Sequence, residues 1–154
     1  MKLVLFSLSI MIFFSACSSR PPAPAQPLSS KHSPTLKKFY AQYNAWRGTP
    51  YEYGGLSLDG VDCSGFIYKS YKSIFNIDLP RSTKEQVQIG KRVYINELQA
   101  GDLIFFKTGW KSRHGGIYLE EGKFMHDTSS RGVTTPNMQN EYWKKSYWQG
   151  KTRI

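Results

Sequence analysis

Cysteine is nearly absent from this chain: two in 154 residues, at positions 17 and 63. That scarcity excludes a fold stapled by several disulfides. Long apolar runs are missing too. The best of them, residues 3–14, is interrupted by serines and falls short of the roughly 20 residues that an ordinary membrane-spanning helix needs. Acidic residues are few, 11 Asp and Glu against 21 Lys and Arg, for a net charge of +10. The basic residues are scattered, not gathered in one arm, and accompany no nucleic-acid motif, so no nucleic-acid partner is expected. A basic surface suits acidic lipid head groups or an acidic polymer; a solvated, Lys-rich surface accounts equally well for most of these charges. No internal repeat is visible.

What is present begins with a leader. Lys2 gives residues 1–16 a positive start, residues 3–14 an apolar middle, and Ser15-Ala16 a small-residue end, the pattern of a secretory signal. Phe14-Ser15-Ala16-Cys17 resembles a bacterial lipobox, with Phe14 where Leu is usual. The resemblance implies cleavage before Cys17 and diacylglycerol on its sulfur; a plain signal peptide with an incidental cysteine is the alternative. Acyl chains anchor firmly, at about 0.8 kcal/mol per buried methylene. Ser18, where Asp would suggest inner-membrane retention, points to the outer membrane of a Gram-negative envelope, facing the periplasm. Residues 17–34 carry Pro21, Pro22, Pro24, Pro27 and Pro34 among Ser and Ala. They cannot build a core and read as an extended tether. Residues 35–154 are the size of one domain.

Within that domain, Leu36, Phe39, Tyr40, Tyr43 and Trp46 recur at three- and four-residue steps and predict a helix. Ser33 is its cap, Pro34 its first residue, and Gly48 its end. Residues 49–60 hold three glycines, a proline and two tyrosines, a shaped loop. A second helix is predicted over 63–75, capped by Asp62 and burying Phe66, Ile67, Tyr71 and Ile74. Ser82 and Glu85 form a capping-box pattern for a third, short helix ending near Gly90. Strands follow at 102–107, 114–119, 123–128, 131–135 and 147–154, with a short helical piece at 137–143. Helices first and strands after argue an α+β fold, helices packed on an antiparallel sheet.

The chemistry centres on Cys63. A lone thiol exported to an oxidising compartment is a hazard unless it reacts. At the first turn of a helix, unpaired N–H groups and the helix dipole favour a thiolate and can also hold an oxyanion. Ser64 and Gly65 are expected to leave room for a substrate backbone. The bland alternative, a small buried hydrophobe, fits poorly beside Asp62 and Ser64. His114, opening a strand beside Gly115 and Gly116, is the candidate base that shares the thiol proton and later protonates a leaving amine. His126 and Asp127 compete to orient it, because adjacent strand residues face opposite ways. A three-residue loop, Glu120-Glu121-Gly122, places residue 116 opposite 126, so His114 and His126 become diagonal neighbours roughly 7 to 8 Å apart at the backbone. A two-residue loop would bring Asp127 instead. Gly122 suits the longer loop, which selects His126. Tyr51, in the loop before the cysteine, could reach the oxyanion; ordinary aromatic packing is its alternative.

Together, Tyr51-x-x-Gly54-Gly55, Asp62-Cys63-Ser64-Gly65-Phe66, residues 79–83 (Leu-Pro-Arg-Ser-Thr), residues 101–106 (Gly-Asp-Leu-Ile-Phe-Phe), residues 114–119 (His-Gly-Gly-Ile-Tyr-Leu) and Phe124-Met125-His126 resemble the NlpC-type bacterial cell-wall cysteine peptidases of the papain-like superfamily. Lipobox, tether and single domain resemble that family's small outer-membrane lipoproteins. The resemblance implies Cys63 as nucleophile, His114 as base and His126 as the orienting residue. It implies Tyr51 at the oxyanion with the Cys63 N–H, and Asp62 and Ser64 at the substrate. Arg81 and Gln86 fall in a matching stretch, with a structural or cleft role. Gly115 departs from the family's usual Val, which implies looser packing there. The implied reaction is hydrolysis of an amide in the peptidoglycan stem peptide, at the D-γ-glutamyl–diaminopimelate bond or the diaminopimelate–D-alanine crosslink, with no metal or organic cofactor. Two other functions stay open: a catalytically silent wall-binding lipoprotein, and an amidase or acyltransferase on lipids or small amides.

Overall fold

In the computed structural model, which describes residues 24–25 and 32–153, helix α1 (Pro34–Trp46) starts where Ser33 accepts a hydrogen bond from the Leu36 N–H. The expected signal (residues 1–16), Cys17 and most of the tether lie outside the described residues. The helix sinks Leu36, Phe39, Tyr40 and Tyr43 into the core. Its stripe ends at Trp46, which packs on Phe66.

The shaped loop holds a small hairpin absent from the sequence expectation, β1 (Leu56–Ser57) paired with β2 (Gly60–Val61). Helix α2 (Cys63–Phe75) then runs over the predicted residues. Asp62 caps it by accepting from the Gly65 N–H, and Asn76 closes it in the left-handed conformation. Phe66, Ile67 and Tyr71 are fully buried, each contributing about 1.5–3 kcal/mol by removal from water. The third helix, α3 (Thr83–Gln86), is shorter than expected. Three-residue hydrogen bonds from Gln88 to Glu85 and from Ile89 to Gln86 wind its end into turns before Gly90.

The remaining elements build a six-stranded antiparallel sheet. Its strands are β3 (Arg92–Val93), β4 (Leu103–Lys107), β5 (Arg113–Tyr118), β6 (Phe124–Thr128), β7 (Gly132–Thr134) and β8 (Tyr147–Lys151), ordered β3-β8-β4-β5-β6-β7. β3 and a 3-10 turn (Ile95–Glu97) were not foreseen. One face packs against α1 and α2 through Leu103, Phe105, Ile117 and Met125. The other packs Ile104, Phe106 and Phe124 against Met138 and Trp143. Cover on both faces explains why Leu-Ile-Phe-Phe of β4 is a continuous apolar run without polar alternation. Trp143 belongs to α4 (Glu141–Ser146), which begins later than residue 137. Asn140 supplies the cap, accepting from the Tyr142 N–H. The Asn137 amide donates to the Glu121 carbonyl and accepts from the Gln139 N–H.

The β5–β6 register decides which side chains meet. Ile117 faces Met125 and Tyr118 faces Phe124, which puts residue 116 opposite 126. The turn combines features of both loop types. Glu121 and Gly122 both have positive φ, and Lys123 N–H donates to Glu120, as in a two-residue turn. Leu119 N–H nevertheless donates to the Lys123 carbonyl, so the strands keep the register of the longer loop.

Candidate active site

The N-terminus of α2 abuts β5, and there Cys63 lies partly exposed. Its sulfur is 3.7 Å from Thr83 Oγ1. Two adjoining cavities of about 610 and 340 Å³ meet at the thiol and share Tyr51, Cys63, Ser112 and Arg113. The larger continues past Asp62, Arg81 and Tyr53. The smaller runs along His114 and Asp127 to Trp143. The thiol therefore opens on a groove that a chain molecule can enter from either end.

His114 enters from β5, and its Nε2 is 2.6 Å from Nδ1 of His126. The rings cross at 85°. Trp143 packs on both imidazoles and Phe124 lies against His126, so the pair has its back in an aromatic pocket. With Nε2 engaged, Nδ1 is the His114 nitrogen left for a thiol. Asp127, one residue on, points to the opposite face and lines the groove itself.

Burial dominates the electrostatics. It pushes His114 down to about 4. It also holds His126 well below its ordinary value, with the His114 charge adding to the effect. Burial pushes the Cys63 thiol up; hydrogen bonds from Thr83 and the Gly115 N–H oppose it, Asp62 adds to it, and the Ser64 N–H opposes it slightly. Desolvation thus works against charge on both the thiol and the imidazole. The thiolate expected from helix position alone gives way to desolvation.

Asp62 is fully engaged within the protein. Burial would raise its carboxyl, but Arg81 and the Gly65 and Gly54 N–H groups outweigh it and hold the carboxyl below its ordinary range. Arg81 grips both oxygens at 2.8 and 2.9 Å, and Ser64 Oγ donates to one of them. Arg81 also reaches Ser64 Oγ and the Gly55 carbonyl. Gln86, completely buried, donates to the Ser64 and Pro80 carbonyls. Asp62 and Ser64 therefore stand in the groove wall with their polar atoms committed to this network. Tyr51 lines both cavities, and burial, then Cys63, raises its phenol.

Two glycines behave differently from expectation. A side chain on Gly65 would meet the Gly55 carbonyl at 2.6 Å and Arg81 at 3.0 Å. Its bareness lets the loop close on the helix. A Cβ on Gly115 would lie 2.9 Å from Ile67 Cδ1. Ile67 already fills the space a larger residue would take, so packing there is tight. Thr83 and Trp143 were missed as parts of the site. Thr83 lay within a matching segment, whereas nothing in the local pattern marked Trp143.

A cysteine opening a helix that packs on an antiparallel sheet, with a coupled histidine pair on that sheet, is the papain-like α+β arrangement of a thiol peptidase. The chain belongs to the NlpC/P60 family, whose model matches residues 48–152. It is 51% identical over 110 residues to a probable endopeptidase of Haemophilus influenzae, covering 70% of this chain and 68% of that protein. It is 43% identical over 106 residues to the murein DD-endopeptidase MepS/murein LD-carboxypeptidase of Escherichia coli, covering 69% of this chain and 56% of the relative. A crystal structure of an NlpC/P60 family protein from Bacillus cereus superposes with a TM-score of 0.71 at 30% identity, over 80% of this chain and 41% of that one.

Proposed function

We propose that this protein is a peptidoglycan endopeptidase that cuts an amide of the stem peptide or its crosslink through Cys63, His114 and His126. One observation carries this most: thiol, Tyr51 and His114 line a single open groove, and His114 is fixed from behind by a 2.6 Å contact with His126. Family membership and the names of its relatives point the same way.

The chemistry starts from the neutral pair. The reaction requires the tautomer in which His114 donates from Nε2 to His126 Nδ1, which leaves its own Nδ1 basic. As the sulfur attacks the scissile carbonyl, Nδ1 takes the thiol proton. The developing oxyanion sits at the start of α2, within the field of its free N–H groups, with the Cys63 N–H and the Tyr51 hydroxyl as donors. Collapse breaks the C–N bond, and the leaving amine takes the proton from His114. Water, activated by the same imidazole, then cleaves the thioester. No step calls for a metal or organic cofactor. The test is release of soluble fragments from purified sacculi by the full-length chain. Wild type should solubilise them and Cys63→Ala should not; tight binding without release by wild type would favour a silent wall-binding protein.

We further propose that Cys17 carries lipid and holds the domain on the outer membrane, facing the periplasm. The support is the Phe14-Ser15-Ala16-Cys17 sequence and the Pro-rich stretch after it. Intact mass of protein extracted from envelopes should show an acylated chain beginning at Cys17. A soluble, unacylated mature chain would contradict the anchor.

A further inference from the structure

Asp127 is completely buried, and neither carboxyl oxygen has a partner of hydrogen-bonding geometry. Its neighbour His126 faces the other side of the sheet, so strand alternation turns Asp127 toward α2 and the thiol. There it lines the smaller cavity with Tyr51, Cys63, Arg113 and His114. Burying a carboxyl without a partner is costly. Among the described residues only the Thr128 N–H lies near enough to ease that cost, and no side chain pairs with the carboxyl, which leaves room for a partner that enters the groove.

Resting on the endopeptidase reading, we infer that Asp127 is a specificity-determining residue that receives an ammonium group of the substrate on the leaving-amine side of the scissile bond. The side follows from the chemistry. The leaving amine takes its proton from His114, so the leaving half occupies the cavity that holds both His114 and Asp127. The acyl half then lies in the larger cavity, along Asp62 and Arg81. A cation is the fitting group, because only a cation offsets the desolvation of a carboxylate as well as satisfying its oxygens. Free side-chain amines of diamino acids in a stem peptide have this chemistry.

The electrostatics of the carboxyl give the inference a second readout. Burial pushes Asp127 up to about 7; the Thr128 N–H offsets part of this and Asp62 adds to it. The titratable groups around the cavity are Tyr51 on the loop, Asp62 and Cys63 at the start of α2, Arg113 and His114 on β5, and Tyr142 on α4. Below pH 7 an arriving ammonium must drive the proton off Asp127, so binding should release about one proton per ligand.

The probes are a synthetic stem peptide with a free amine on the leaving side and the same peptide N-acetylated. Wild type should prefer the amine at least about tenfold in kcat/KM, through KM, and Asp127→Asn should narrow this to within about twofold, the size of one charge-assisted hydrogen bond. The loss caused by Asp127→Asn should fall on the amine peptide, through KM, by at least about fivefold more than on the acetylated peptide. An undiminished preference in the variant, no preference in wild type, or equal loss on both peptides would overturn the inference. Calorimetry on the non-cleaving Cys63→Ala chain, in buffers of different ionisation enthalpy below pH 7, should show proton release with the amine peptide and none once Asp127→Asn is added. Binding without proton release would also overturn it. Amine-dependent binding by a wild-type chain that cuts neither peptide would leave the Asp127 site standing and sink the endopeptidase reading.

Discussion

At the scale of single residues, the site sets two kinds of histidine duty against each other. His114 must be basic enough to take a proton, yet burial holds it at about 4. A neutral imidazole behind it, His126, fixes the ring without adding a negative charge that would raise that value. In the proposed mechanism His126 is therefore an orienting group, whose removal frees the His114 ring and its tautomer. His126→Ala should lower kcat on muropeptides by about 10²-fold, a common size for one positioned acid–base element, with little change in KM. Asp127→Asn should leave kcat alone. Steady-state kinetics on the two variants checks this, and the reverse pattern would give the orienting role to Asp127.

At the scale of elements, local signals were read where physics is local. Ser33 and Asp62 cap their helices as expected, and α2 starts and stops at the predicted residues. The hairpin register also followed from side-chain parity and loop length. Elements held by distant partners were not visible. β3 has two residues and exists because β8 pairs with it. β1 and β2 fold around a backbone approach at Gly55, where a Cβ would lie 2.4 Å from the Gly60 carbonyl. The Asp62–Arg81 grip spans 19 residues of sequence, and no periodicity records it. Trp143 reaches the histidine pair from a helix whose cap lies three residues beyond the expected start. The desolvation that works against the thiolate was not visible for a related reason. The helix position was legible, but how far burial shifts the thiol depends on neighbours distant in sequence, such as Thr83 and the Gly115 N–H.

At the scale of the whole molecule, the buried titratable groups govern how stability depends on pH. Between about pH 4 and 6.5, unfolding lets His114 and His126 take up one proton each, while Asp127, held at about 7 in the fold against an ordinary 3.8, releases one. Two gained less one lost is a net uptake of one proton in the lower part of that window, so stability should rise with pH there by about 1.4 kcal/mol per unit and more gently as 6.5 is approached. Asp62, held low, loses its contribution only as pH falls below its ordinary 3.8. Between 6.5 and about 7 the unfolded histidines lose their protons and their remaining uptake comes to balance the proton held on Asp127, so the slope should fade to about zero. Urea denaturation midpoints from pH 4.5 to 7.5 read this directly; a flat or falling curve below 6.5 would mean that the histidines are not buried as described. Asp127→Asn should steepen the rise, since the opposing proton is gone. The central claim, that the thiol at position 63 cuts the wall peptide in this groove, meets its most direct test in mass spectrometry of muropeptides incubated with full-length wild type and with Cys63→Ser. Wild type should give two new peptide fragments whose masses sum to the parent plus one water, absent with the variant. An unchanged muropeptide profile with wild type, or the same fragments with Cys63→Ser, would contradict it.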